Sequence, residues 1–195
     1  MRHNIVLDGL AFRLRPIGDT DAAFALTLRN HPDLGRFLHA TPLDLESQLD
    51  WLARYYERPG DWYFVLERKL DRTPEGLISL YDHDKHQHSA EWGRWILRPG
   101  SLAAIESAWL IYRCAFEQLD LREVYCRTVA DNQSVVSFHD SCGISKRTLL
   151  PKHFKLNGRD LDAVEHRIDL ANWAPLAKRL EFLAERTARR IQRDA

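Results

Sequence analysis

Two side chains in this sequence combine an unusual position with useful proton chemistry. Glu91 falls inside the apolar run AEWGRWIL, Ala90 to Leu97, whose aromatic and branched residues read as a strand. A carboxylate in an interior strand is costly unless it is paired, here with Arg94 or Arg13, or works on a substrate. His139 lies in the helical segment NQSVVSFHDSC. Imidazole titrates close to neutral pH and can donate a proton, while a helix histidine also serves as a structural hydrogen bonder. Arg29 ends another helical pattern and offers a planar fork to a phosphate or carboxylate, or to a helix-end ion pair. The run YDHDKHQH gathers His83, Asp84, His86 and His88, all potential ligands, in what reads as a loop. Such histidines are solvated or form a substrate rim, so no metal is expected. Cys114, Cys126 and Cys142 are odd in number and contain no CxxC pair, which fits reduced, buried thiols better than disulfides or zinc.

The bulk composition narrows the classes further. The 195 residues carry 28 Lys+Arg against 28 Asp+Glu, so no overall charge points to nucleic acid or a membrane surface. With 45% apolar and 10% aromatic residues the chain can bury a core, which excludes disorder as its main state. Its longest apolar stretches fall far short of the ~20 residues that span a bilayer, and the start MRHNIVLDGLAF lacks a signal-peptide core. A cytoplasmic protein is expected, with one domain over 1–170 and a helical extension of it over 171–195.

The elements that must position these side chains follow from periodicity. Leu10 to Ile17 alternate as a half-buried strand, and a capped helix follows Gly18 with Ala22, Phe24, Ala25 and Leu28 at helical spacing. Asp44 opens a second helix with Leu45, Leu49, Leu52 and Tyr56 as its apolar stripe, ending before Pro59-Gly60. Trp62–Glu67 and Gly76–Tyr81 read as a hairpin around DRTPE, His83 to Ser89 as a polar loop, and Ala90–Leu97 as a strand stopped by Arg98-Pro99-Gly100. A mostly apolar helix spans Ser101 to Leu119, followed by a strand over Glu123–Val129. A helix opened by Asp131-Asn132 closes at Gly143. Asn157-Gly158 joins the strands Thr148–Leu156 and Asp160–Asp169, and Leu176 to Ile191 forms a last helix rich in arginine at its end. That cluster reads as a solvated helix end, so no nucleic-acid partner is expected.

This order of elements resembles the GNAT superfamily of acetyl-CoA-dependent N-acetyltransferases over roughly residues 10–170. Within it, Arg29-Asn30-His31-Pro32, Leu45-x-x-Gln48-Leu49 with Trp51, Trp62-Tyr63-Phe64 and Gly76-x-x-Ser79 are most similar to the nucleotide-linked aminosugar N-acetyltransferases of the pseudaminic acid pathway. The segments AFEQLDL and NQSVVSF are similar too, while Arg-Asn-x-Pro also occurs in acetyltransferases of the RimJ/RimL type. The resemblance implies an α/β (α+β) GNAT fold: a mixed, mostly antiparallel sheet of six to seven strands, flanked by helices and splayed where acetyl-CoA enters.

It also implies roles for particular residues. Ile96, Leu97 and Arg98 would run along the pantetheine. Gly100, Ser101, Leu102, Ala103 and Ala104 would surround the pyrophosphate, where orphan amides and the positive helix end favour phosphate oxygens. The family loop's second glycine is missing here, so this stretch is either a shortened binding loop or a helix that merely packs on the sheet. Asn132, Ser134 and Phe138 would meet the coenzyme arm, Asn132 and Ser134 alternatively being N-capping residues. His139 stands at the family's acid tyrosine, and Glu91 at the glutamate that accepts the amine's proton. Arg29, Asn30, Gln48, Tyr81 and Trp95 would line the acceptor site.

The implied reaction is direct acetyl transfer to the amino group of a nucleotide-linked amino-deoxysugar, UDP-linked in the first instance, of a surface glycan or flagellin. Acetyl-CoA would be the cosubstrate, with no metal and no membrane partner, and a homodimer is compatible with the last strands or helix. The alternatives are a RimJ/RimL-like acetyltransferase of protein N-termini or small amines, and a non-catalytic GNAT-like binding module.

Overall fold

The computed structural model describes residues 2–38 and 44–193. Its frame is one eight-stranded sheet. The strands are β1 (Leu7–Asp8), β2 (Phe12–Pro16), β3 (Trp62–Arg68), β4 (Pro74–Asp84), β5 (Ser89–Leu97), β6 (Glu123–Val129), β7 (Arg147–Leu156) and β8 (Arg159–Asp169). They lie in the order β1-β2-β3-β4-β5-β6-β8-β7. Every pairing is antiparallel except β5 with β6. The expected mixed, mostly antiparallel sheet is present, with eight strands and not six to seven. The additional strand is β1, too short to show a period.

The helices are α1 (Ala22–Arg29), α2 (Leu45–Tyr56), α3 (Ala104–Arg113), α4 (Gln133–Cys142) and α5 (Leu170–Arg193). Alternation along β3 divides the core between the two faces of the sheet. Trp62, Phe64 and Leu66 pack with Leu110, Ile111, Trp173 and Leu180 of α3 and α5, whereas Tyr63 and Val65 pack with Ala25, Leu52 and Tyr55 of α1 and α2. Buried Glu106 of α3 ties the first strands to this core: its carboxylate accepts backbone N–H groups of Leu10, Ala11 and Phe12.

Several boundaries differ from those read in the sequence. β4 extends to Asp84 and β5 starts at Ser89, so the polar loop is only 85–88. Asp84 Oδ1 accepts the N–H groups of His86 and Gln87 and shapes that loop. The helix expected over Ser101 to Leu119 starts at Ala104 and finishes as a π turn over Cys114–Gln118. On α2 the buried residues are Gln48, Leu52 and Tyr55, with Leu45 and Leu49 exposed, because the helix turns Gln48 inward. The last helix begins at Leu170 and runs through Pro175, and Trp173, Leu176, Leu180, Ala184 and Ala188 form its buried stripe.

Two irregularities shape the centre of the sheet. Between Leu77–Ile96 and Ser79–Gly93 the register gains one residue on β5, and Arg94 takes φ 49° in that bulge. β5 and β6 pair only through Ser89–Glu123, Ala90–Val124 and Glu91–Tyr125. Beyond Glu91 the two strands part, and the edge of β5 toward β6 has no strand partner among the described residues.

Candidate active site

Glu91 is the last residue of β5 paired with β6, at the point where the sheet opens. The opening is a cleft of about 820 Å3. One end is built by Arg29 of α1, Gln48 and Trp51 of α2 and Tyr63 of β3, the middle by Tyr81 and Glu91 to Trp95, and the other end by Cys126 to Val129 with Asn132 and His139 of α4. Phe154 and Leu156 of the last hairpin close one side.

Glu91 is 5% exposed and has two partners. Tyr81, opposite it in the β4–β5 ladder, donates its hydroxyl to Oε1 at 3.0 Å, and Arg127 Nη1 donates to Oε2 at 3.0 Å. Gly93 makes the first contact possible, because a Cβ there would lie 2.5 Å from the Tyr81 hydroxyl. Burial pushes the Glu91 carboxyl up to about 7, against the opposing pull of Arg127 and Tyr81. Glu91 can therefore change charge near neutral pH, as a proton acceptor must.

The ion pair weighed from the sequence has a different partner. Arg94 is bound fork to fork by Asp61, at 2.6 and 2.9 Å, and Arg13 pairs with Asp8 at 2.8 Å. Arg127, which no motif in the sequence marks, belongs to a longer chain. Its Nε donates to Glu165 at 2.9 Å, Arg167 donates to the other Glu165 oxygen at 2.8 Å, and Arg167 also pairs with Glu123. Burial opposes ionisation of Glu165, but these two guanidinium groups more than offset it and hold its carboxyl below its ordinary value. Glu165 thus keeps Arg127 in place beside Glu91.

His139 reaches the cleft floor with 2% exposure. It packs against Trp92 at 5.1 Å and His166 at 4.9 Å between ring centroids, and its Nε2 lies 3.5 Å from Cys126 Sγ. Burial, with a smaller contribution from His166, lowers the imidazole to about 3. The ring is therefore neutral at neutral pH, which does not match a resting imidazolium acid. The Cys126 thiol beside it is pushed well above its ordinary value by burial, so it stays an S–H.

The expected acceptor residues separate into groups. Arg29, Gln48, Tyr81 and Trp95 all line the cleft, while Asn30 lies outside its lining; it ends α1 and its N–H bonds to Leu26. Trp95 reaches the α3 and α4 side, beyond the Arg94 bulge. Its Nε1 donates to Ser107 of α3 at 3.0 Å, and its ring tilts over Phe138 of α4 at 4.8 Å. Arg94, weighed in the sequence only as an ion-pair partner, sits among aromatic faces, 4.5 Å from the Tyr81 ring centroid and 5.7 Å from that of Trp51.

The acetyltransferase (GNAT) domain family matches residues 12–145. The chain belongs to this GNAT acetyltransferase family. Solved structures of GNAT proteins agree in fold. FdhC, described as a nucleotide-linked sugar GNAT, is 28% identical with a TM-score of 0.73, covering 89% of this chain and 94% of its own. A GCN5-related N-acetyltransferase from Brucella melitensis is 20% identical with a TM-score of 0.77, covering 91% and 84%. A variant of the spermidine N-acetyltransferase SpeG from Vibrio cholerae is also 20% identical, with a TM-score of 0.73 and coverage of 85% and 97%.

A GNAT domain implies acetyl-CoA as cosubstrate, and the local geometry suits it. The β6-facing edge of β5, which carries Ile96 and Leu97 and leads into Arg98, is free of strand partners among the described residues. Gly100 takes φ 78°, with no described atom within 4 Å of where a Cβ would stand, leaving open space before α3. Ser101 Oγ accepts the Ala103 N–H at 3.3 Å, so Ser101 to Ala104 form a compact turn with small residues at the helix start. Leu102 is half-buried in this turn. Asn132 lines the cleft, and its Oδ1 accepts the Ser134 hydroxyl at 3.0 Å in place of a backbone cap.

Proposed function

We propose that this GNAT protein transfers the acetyl group of acetyl-CoA directly to the amino group of a nucleotide-linked amino-deoxysugar. The observation that carries the acceptor class is the charge around Glu91. Arg29, Arg54 and Arg58 line the cleft beside Asp50, in addition to Arg94 and Arg127, which are paired with Asp61 and with Glu91 and Glu165. Trp51 adds an aromatic face close to Arg58 and Arg94. Such a rim attracts a diphosphate and an aromatic base and repels a polycation such as spermidine.

Acetyl-CoA in the opening between β5 and β6 supplies an activated thioester. Glu91, once ionised, takes the proton of the acceptor amine. The amine nitrogen forms a bond to the acetyl carbon, the carbon–sulfur bond breaks, and sulfur leaves as a thiolate. Arg127 and Tyr81 orient the Glu91 carboxylate for this transfer. His139 presents a neutral ring near the leaving sulfur, suited to a hydrogen bond and not to delivery of a charge-bearing proton.

The test is release of CoA with three acceptors: UDP-linked amino sugars, spermidine, and peptides with free N-termini. Turnover with the nucleotide sugar, and little with the same sugar stripped of its nucleotide, supports the reading. Preference for spermidine or a peptide overturns the acceptor class, and the absence of both turnover and acetyl-CoA binding overturns the enzyme.

A further inference from the structure

A second histidine lies directly behind His139. His166, on β8, is fully buried, and its ring packs against that of His139 at a 37° tilt. Its Nε2 lies 3.1 Å from Asp140 Oδ1, and Arg147 Nη1 holds the other Asp140 oxygen at 2.7 Å. An ionised carboxylate only accepts hydrogen bonds, so this contact fixes the proton of His166 on Nε2. Its Nδ1 is buried without a hydrogen-bond partner among the described residues. A buried polar atom left so is uncommon in a folded protein and calls for a reason. Strand register explains the placement: His166 is opposite Cys126 on β6 and Arg147 on β7, while Asp140 follows His139 on α4.

We propose that His166, anchored by Asp140, is a positioning residue for His139, fixing the orientation of its ring at the floor of the cleft. The proposal rests on the reading of His139 as part of a transferase site. The charged and titratable groups that meet the pair of rings are Cys126 of β6 and Asp140 of α4, with Arg147 of β7 on the far Asp140 oxygen. Among the described residues, only Asp140 forms a carboxylate contact with either ring. The two rings meet by packing, and the orientation so held sets His139 Nε2 3.5 Å from Cys126 Sγ, the polar contact that selects the His139 tautomer.

Nitrogen-detected NMR of the histidine rings in the full chain tests this. The wild-type His139 ring is expected to show one neutral tautomer from about pH 5.5 to 8.5, across the range where an unperturbed imidazole titrates. Asp140→Ala, at a side chain 41% exposed, and His166→Phe should each give a mixture of His139 tautomers. Both should lower kcat on the order of tenfold, with KM for acetyl-CoA unchanged. Asp140→Asn keeps an acceptor for Nε2 and should restore the wild-type tautomer. Titration of wild-type His139 within that range, or an unchanged His139 spectrum in both folded disruptive variants, overturns the proposal. Because the spectrum needs no turnover, a released tautomer in Asp140→Ala supports the inference even if the acceptor class proves wrong.

Discussion

Tyr81 stands opposite Glu91 across the β4–β5 ladder and donates its hydroxyl to the carboxylate that the splayed sheet leaves facing the cleft. The same carboxylate takes Arg127 on its other oxygen. Two donors on a buried acid favour its ionised form, and burial favours the neutral one. The balance near 7 places Glu91 where a proton acceptor works best at neutral pH.

Tyr81→Phe removes one donor and keeps the ring. Since the hydroxyl stabilises the ionised carboxylate, its loss moves Glu91 further upward. The pH at half-maximal kcat/KM should rise by about one, and activity at pH 7 should fall roughly several-fold with it. A pH profile of the variant checks this.

Glu91 also makes stability depend on pH. Its folded value lies above the unfolded 4.5, so between about 4.5 and about 7 the folded state holds the extra proton. Stability from this group is present at low pH and lost as pH rises through that window. Glu91→Gln cannot titrate, so the melting temperature of wild type relative to this variant should decline from about pH 5 to about pH 8. Calorimetry across that range measures the difference.

Much of this architecture is readable in the sequence, and the unreadable part has physical causes. The β3 and β5 runs, the Asn157-Gly158 hairpin and the Gly143 cap declare themselves locally, Gly143 with φ 92°. Glu91 stands out because a carboxylate in an apolar strand needs a reason. Its partner does not: Arg127 reaches it through the parallel β5–β6 register, which no local pattern encodes. The side of the sheet that Trp95 takes is harder to read, because the bulge at Arg94 breaks the alternation, and Gly93 marks that a bulge is near without fixing which residue it adds. The last helix starts at Leu170, six residues before the expected Leu176, and carries Pro175 in its interior.

Arg29→Ala should weaken acceptor binding more than the chemistry. Arg29 lines the α1–α2 end of the cleft beside Tyr63, whose hydroxyl it engages. Loss of a charged contact to a phosphate should raise KM for the nucleotide sugar on the order of 10- to 100-fold, with kcat little changed. Steady-state kinetics at two salt concentrations checks this, since wild-type KM should rise with salt more steeply than that of the variant.

Glu106→Ala should cost stability without touching the cleft. It leaves the N–H groups of Leu10, Ala11 and Phe12 without their carboxylate, that of Phe12 in a buried position. The expected loss is about 3 kcal/mol. Denaturant melts measure it, and hydrogen exchange should accelerate first at Leu10 to Phe12.

The most direct measurement is the pH dependence of kcat/KM for acetyl-CoA and a UDP-linked amino sugar, in wild type and in Glu91→Gln. Wild type should rise through an inflection near 7, and the variant should be flat and slower by at least about 10²-fold, the size of a positioned base. A variant that keeps wild-type activity, or the same inflection, would contradict a proton-accepting role for Glu91.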